Sequence, residues 1–141
     1  MPSTHKIFID SSVLIAFIDR ADGNHPRAVK ALENLAQQGY QLYTSMQNIN
    51  ETYTSLSREV GATIASEFLE QILQSNIEIL FPQKADLISA FRILKTNREK
   101  QLTLREVLSA TLMQKRAVFQ IITFHYWHNL FGTQISNLSL D

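Results

Sequence analysis

Short β-rich runs alternate with stretches of helical spacing along the chain, and that alternation is what most narrows the fold. Ile7 to Ile9, Tyr40 to Thr44, Ile77 to Phe81 and the run AVFQIITF at 117–124 read as strands, with Ile135 to Leu138 as an edge strand. Residues 12–20 read as a helix with Ser11 at its N-cap. Asp22, Gly23, Asn24 and Pro26 then supply turn and helix-start chemistry ahead of Ala28, Ala31, Leu32, Leu35 and Ala36, and Gly39 ends that element. Gly61 separates a helix over 47–60 from one carrying Ile64, Phe68, Leu69, Ile72 and Leu73. Helices over 84–96 and 103–116 complete the pattern. Strands that alternate with helices are joined by crossovers, which predicts a three-layer α/β/α fold: a mainly parallel sheet of four to five strands flanked by helices.

With 141 residues the chain fits one domain, 1–141, able to bury roughly two-thirds of its unfolded surface. Acidic and basic residues number 13 each, so the whole molecule offers no electrostatic footprint for nucleic acid and any such contact needs a local patch. Cysteine is absent, which removes disulfides and thiolate metal sites. Residues 1–6 carry no apolar leader and no window approaches a membrane span, so the expectation is a cytoplasmic protein with no membrane contact.

Chemistry concentrates where strands end. Asp10 follows the first strand and precedes Ser11 and Ser12, which can open a helix. In open α/β sheets, ligands gather outside the carboxyl ends of strands, and a carboxylate there is costly without a cation or hydrogen bonds. Glu51 lies in the early turns of the helix after the second strand, Glu106 in the first turn of the helix before the last long strand, and His125 directly after that strand. Hard cations such as Mg²⁺ and Mn²⁺ want oxygen ligands and keep several waters, so a solvent-open cup of carboxylates suits them. Each acid also has a structural reading: Asp10 as a helix-start acceptor, Glu51 as an exposed helix residue, and Glu106 as the far half of a capping box begun at Thr103. His125 and His128 also read as surface histidines near a strand end.

On these residues the chain resembles the PIN-domain family, and in particular the VapC-like toxin ribonucleases of bacterial toxin–antitoxin pairs. The stretch FIDSSVLIAF at 8–17 resembles the family's first motif, with its acid at Asp10 and a small polar residue at Ser12. Asp22, His25 and Ala28 resemble the loop and helix that follow, and Tyr43-Thr44-Ser45 through Asn50-Glu51-Thr52 to Arg58 resembles the strand and helix of the second acid. Gln101 to Leu104 with Leu108-Ser109-Ala110 resembles the third segment, Ile121 to Phe124 the last core strand, and Gly132 its following turn.

The resemblance implies a PIN-like fold, an acidic pocket binding Mg²⁺ or Mn²⁺, and endonucleolytic cleavage of RNA. On that basis Asp10, Glu51 and Glu106 are expected as metal ligands and, with His125, as the catalytic set. Ser12, Thr123, Arg58 and Arg105 are expected to contact substrate, with Lys6 and Arg20 as further phosphate contacts and Tyr53, Tyr126 and Trp127 as stacking groups. The partners implied are an RNA substrate, a cognate antitoxin protein and a second copy in a homodimer; the helices around 28–36 and 62–73 are apolar enough to serve as either core or interface. Two positions depart from the family pattern: Glu106 stands where an Asp is usual, and His125 where a fourth acid is usual. Those departures sustain an alternative, a weakened or inactive PIN domain acting as a protein- or RNA-binding module. A receiver-like signalling domain ranks lower, because the third strand ends in Phe81-Pro82 rather than in a phospho-accepting Asp.

Overall fold

A computed structural model describes residues 5–140; part of the 1–6 segment read above as too polar for a leader lies outside the described residues. Its strands are β1 (Lys6–Ile9), β2 (Gln41–Ser45), β3 (Glu78–Leu80), β4 (Gln120–Thr123) and β5 (Gln134–Asn137). Its α-helices are α1 (Ser11–Ile18), α2 (His25–Gln37), α3 (Met46–Glu59), α4 (Ala62–Gln74), α5 (Lys84–Thr96) and α6 (Leu104–Lys115).

The sheet runs β3-β2-β1-β4-β5 with every neighbouring pair parallel. Alternate side chains of a strand face opposite sides, and β1 shows both uses. Ile7 and Ile9 join Ile122 in a core completed by Val13, Leu14, Ile49, Leu56 and Phe68 from α1, α3 and α4. Phe8 instead joins Tyr43, Leu80 and Ile121 against Leu112 and Met113 of α6, with Trp127. Both faces are therefore covered, which an all-parallel sheet requires.

Most boundaries fall within one or two residues of the sequence reading, and two of the differences have a plain physical cause. The run at 117–124 forms a strand only from Gln120, because the amides of Arg116, Ala117 and Val118 bond back to Met113 and Gln114 in a turn that places Ala117 at φ +57°. Val118 is fully buried there, which gives the turn the apolar look of a strand. At the other end of the sheet's centre, Asp10 rather than Ser11 holds the N-cap position of α1. The helices around 28–36 and 62–73 turn Ala28, Ala65, Phe68 and Ile72 into the core. The larger exposed apolar face belongs to α5, where Leu87, Ile88 and Phe91 meet Leu104 around a groove of about 420 Å³. Among the described residues no helix is long and apolar enough to cross a membrane.

Candidate active site

The strand order reverses at β1: β2 and β3 lie on one side, β4 and β5 on the other. Such a switch point opens a crevice at the carboxyl ends of the two strands that flank it. Asp10 leaves β1 and Thr123 ends β4 at that point, and the Asp10 amide donates to Ile122 O at 3.1 Å to seal them together.

Asp10 is 0 % exposed, and its side chain does not cap α1. Its Oδ2 instead accepts from Ser12 Oγ at 2.7 Å and Thr123 Oγ1 at 2.8 Å, while Oδ1 faces Arg105 Nη1 at 3.2 Å. The hydroxyls are fixed in turn, since Ser12 Oγ accepts from the Phe124 amide and Thr123 Oγ1 from the His125 amide. The buried carboxylate is thereby hydrogen-bonded on one oxygen and charge-paired on the other, which is what burial of a charge demands.

Glu51 is brought to the same place by a buried polar clamp. Ser45 ends β2 and caps α3 by accepting from the Asn48 amide. The Asn48 side chain donates to Ile9 O at 3.2 Å and Thr44 Oγ1 at 3.3 Å, and Thr44 Oγ1 itself donates to Ile9 O at 2.9 Å. These bonds tie the first turn of α3 to the end of β1. Glu51 Oε1, nearly one turn further on, accepts from Ser11 Oγ at 2.9 Å and from Arg105 Nη1 at 3.3 Å. Asp10 and Glu51 therefore converge on one guanidinium nitrogen, which also contacts Ser11 Oγ at 3.1 Å.

Glu106 takes a different partner. It closes the capping box with Thr103, and both its oxygens meet His128: the His128 amide donates to Oε2 at 2.7 Å and Nδ1 lies 2.9 Å from the same atom. Burial pushes the Glu106 carboxyl up, but the hydrogen bonds from His128 and Thr103 outweigh it and hold the group below the ordinary glutamate range. His128 is thus a fixed partner of Glu106, with Tyr126 packed edge-on against its ring. Among the described residues no three His, Asp, Glu or Cys side chains form a cluster arranged for a metal ion.

Of the other residues expected at the site, Ser12, Thr123 and Arg105 are gathered around Asp10. His125 is exposed at the end of β4, and its carbonyl accepts from Asn137. Arg58 lies seven residues beyond Glu51 on α3, roughly 10 Å along the axis, and pairs with Glu59. Lys6 begins β1 and donates to Arg116 O, at the opposite end of the sheet from the crevice. Arg20 lines a groove of about 810 Å³ between α1–α2 and α3–α4, walled by Phe17, Ile18, Val60 and Ile64. Trp127 is buried in the core beneath Arg105, whereas Tyr126 is 75 % exposed. Asn48, Thr44 and the Glu106–His128 pair were not legible as site residues. The one available signal was a run of polar residues at Thr44, Ser45 and Asn48 in a segment otherwise reading as strand and core helix.

Two carboxylates with hydroxyl neighbours are a hard-oxygen donor set of the kind that holds a divalent cation together with waters and substrate phosphate. Asp10 and Glu51 fit that description, with Arg105 Nη1 standing between them. Glu106, committed to Thr103 and His128, lies outside the set as arranged.

An acid pair at the switch point of an all-parallel α/β/α sheet stands where open α/β folds gather their ligands. The PIN domain family model matches residues 7–124, and the chain belongs to that family. Among solved structures, the chain is similar to VapC20 of Mycobacterium tuberculosis, described as a sarcin–ricin loop cleaving toxin. That likeness has 20 % identity, 85 % of this chain and 88 % of that one, and a TM-score of 0.70. It is also similar to VapBC2 from Rickettsia felis bound to a promoter DNA fragment (15 % identity, 93 % and 97 % covered, TM-score 0.68) and to FitAcB from Neisseria gonorrhoeae (15 %, 94 % and 98 %, 0.65). None of the curated proteins compared matches it.

Proposed function

We propose that the chain is a cytoplasmic toxin-type endoribonuclease that hydrolyses RNA phosphodiester bonds with Mg²⁺ or Mn²⁺ held by Asp10 and Glu51. The observation that carries this reading is a fully buried carboxylate at the switch point, locked by Ser12 and Thr123 and sharing one cationic nitrogen with Glu51. Membership of the PIN family and likeness to a toxin described as cleaving the sarcin–ricin loop support it.

A divalent ion bound there supplies a hydroxide-like nucleophile at neutral pH and offsets charge on the phosphate. Ser12 and Thr123 hold Asp10 in one orientation through Oδ2, so Oδ1, the oxygen paired with Arg105, is fixed toward the crevice. Arg105, a third exposed and rooted on Trp127, reaches a phosphate oxygen when turned from the acids. Glu106 holds the His128 ring through Nδ1, and Tyr126, 75 % exposed and edge-on to that ring, forms a rim where an unpaired base can stack. His125, exposed after β4, orients water at the same mouth.

We further infer an antitoxin whose apolar segment fills the groove between α1–α2 and α3–α4, and a homodimer through the α5 face. The test is cleavage of structured and single-stranded RNA with Mg²⁺, with Mn²⁺ and with chelator, by the unmodified chain and by Asp10→Asn and Glu51→Gln. Cleavage that needs the ion and both acids supports the reading; cleavage unchanged in Asp10→Asn removes it. The engagement of Glu106 by His128 favours a second reading, a PIN domain that binds RNA or protein without turnover. RNA binding that survives with no cleavage under any ion selects it.

A further inference from the structure

We propose that Arg105 is a resident cation of the Asp10–Glu51 pair, which a divalent ion must displace before it enters the crevice. The proposal rests on the reading of those two acids as metal holders and goes beyond it by assigning their occupancy to a residue of this chain.

Three observations carry it. A single atom, Arg105 Nη1, lies within hydrogen-bond distance of Asp10 Oδ1, Ser11 Oγ and Glu51 Oε1, at 3.2, 3.1 and 3.3 Å. A nitrogen that donates to both carboxylates occupies the position a shared cation needs, and the two cannot stand there together. Arg105 is also the second residue of α6, in the first turn, where the helix dipole opposes positive charge. The acids across the crevice are what make that placement favourable. Finally, the side chain is hinged: its guanidinium carbon lies 5.6 Å over the Trp127 ring, yet the side chain keeps 33 % of its exposure. Rotation toward solvent moves the guanidinium off the indole face without unpacking a fully buried side chain.

Apparent affinity falls in proportion to the fraction of molecules in which the site is open. An arginine that closes the pair in 90–99 % of molecules weakens metal binding about ten- to a hundredfold. The same exchange explains how a buried carboxylate stays compensated before any ion arrives.

The experiment titrates Mn²⁺ into the full chain and reads the free ion by electron paramagnetic resonance, for the unmodified protein, Arg105→Gln, and Arg105→Gln combined with Asp10→Asn. The expected result is binding roughly ten- to a hundredfold tighter in Arg105→Gln, lost when Asp10→Asn is added. Equal affinity in the unmodified protein and Arg105→Gln, still abolished by Asp10→Asn, overturns the latch and leaves the metal site standing. Absence of binding in both overturns the latch and the metal reading together. A second readout needs no variant to fold: Trp127 is the single tryptophan, so Mg²⁺ entry that expels Arg105 shifts its emission in the unmodified chain. Metal binding that leaves the emission unchanged overturns the proposal.

Discussion

Asp10→Ala separates a compensated acid pair from an open acid cup. In an open cup the two carboxylates repel, and deleting one raises stability. Here the deleted group accepts two hydroxyl bonds and one charged bond while fully buried. After deletion Ser12 Oγ can still turn to Thr123 Oγ1, 3.3 Å away, so about one hydroxyl donor is stranded rather than two. A stranded buried donor costs about 1–3 kcal/mol, and the lost charged bond adds about 1–2 kcal/mol once the partial exposure of Arg105 is allowed for. The expected destabilisation is about 2–5 kcal/mol, which lowers Tm by roughly 6–15 °C in a chain of this length. Asp10→Asn keeps the shape and most of the hydroxyl bonding, and its loss is expected at about half of that. Calorimetry of the three proteins in metal-free buffer at neutral pH is the assay. A Tm for Asp10→Ala equal to or above the parent's would show that Arg105 does not neutralise the pair, and the reasoning about the site's charge would fail.

Three further outcomes follow from contacts elsewhere. Asn48→Ala removes both donors that tie α3 to Ile9 O and Thr44, which is expected to cost about 2 kcal/mol in urea unfolding and to lower RNA cleavage by displacing Glu51. Asp86→Ala strips α5 of its capping bond to the Gln83 amide and of the 2.8 Å bond from Lys115 on α6, with an expected loss of about 2–3 kcal/mol by the same measurement. Glu106 has its folded-state pKa held down, above all by bonds from His128 that overcome burial, so it adds stability that is full above the ordinary glutamate range and is lost as pH falls through the lower folded value. Urea midpoints measured across acidic pH are therefore expected to fall less steeply in Glu106→Gln, and an unchanged slope would contradict that account.

The alternation of strands and helices was enough to read the layers and the parallel sheet, because crossovers leave few other arrangements. Asp10 was legible for a related reason: a carboxylate at the exit of an apolar run has little structural use. The failures have physical causes as well. The turn at 116–118 looked like strand because Val118 is buried, and periodicity does not distinguish a buried turn residue from a buried strand residue. Ser11 and Asp10 compete for one N-cap, and chemistry favours either. Glu106 was expected as a metal ligand with a capping box as its structural alternative; the capping box is present, but nothing in the sequence tied Glu106 to His128, 22 residues away. Arg105 was read as a phosphate contact because its distance from Asp10 is fixed only once β1 and β4 pair. Thr44 and Asn48 matter through hydrogen bonds to a backbone carbonyl, and a run of polar residues does not by itself name the carbonyl it will meet.

Diffraction from Arg105→Gln crystals soaked in Mn²⁺, collected where manganese scatters anomalously, tests the assignment of Asp10 and Glu51 most directly. The account predicts one anomalous peak between the two carboxylates, at about 2.0–2.2 Å from an oxygen of each, with Ser12 and Thr123 still bonded to Asp10. A crevice without a peak at saturating Mn²⁺, or a peak held by Glu106 and His128 instead, would contradict it.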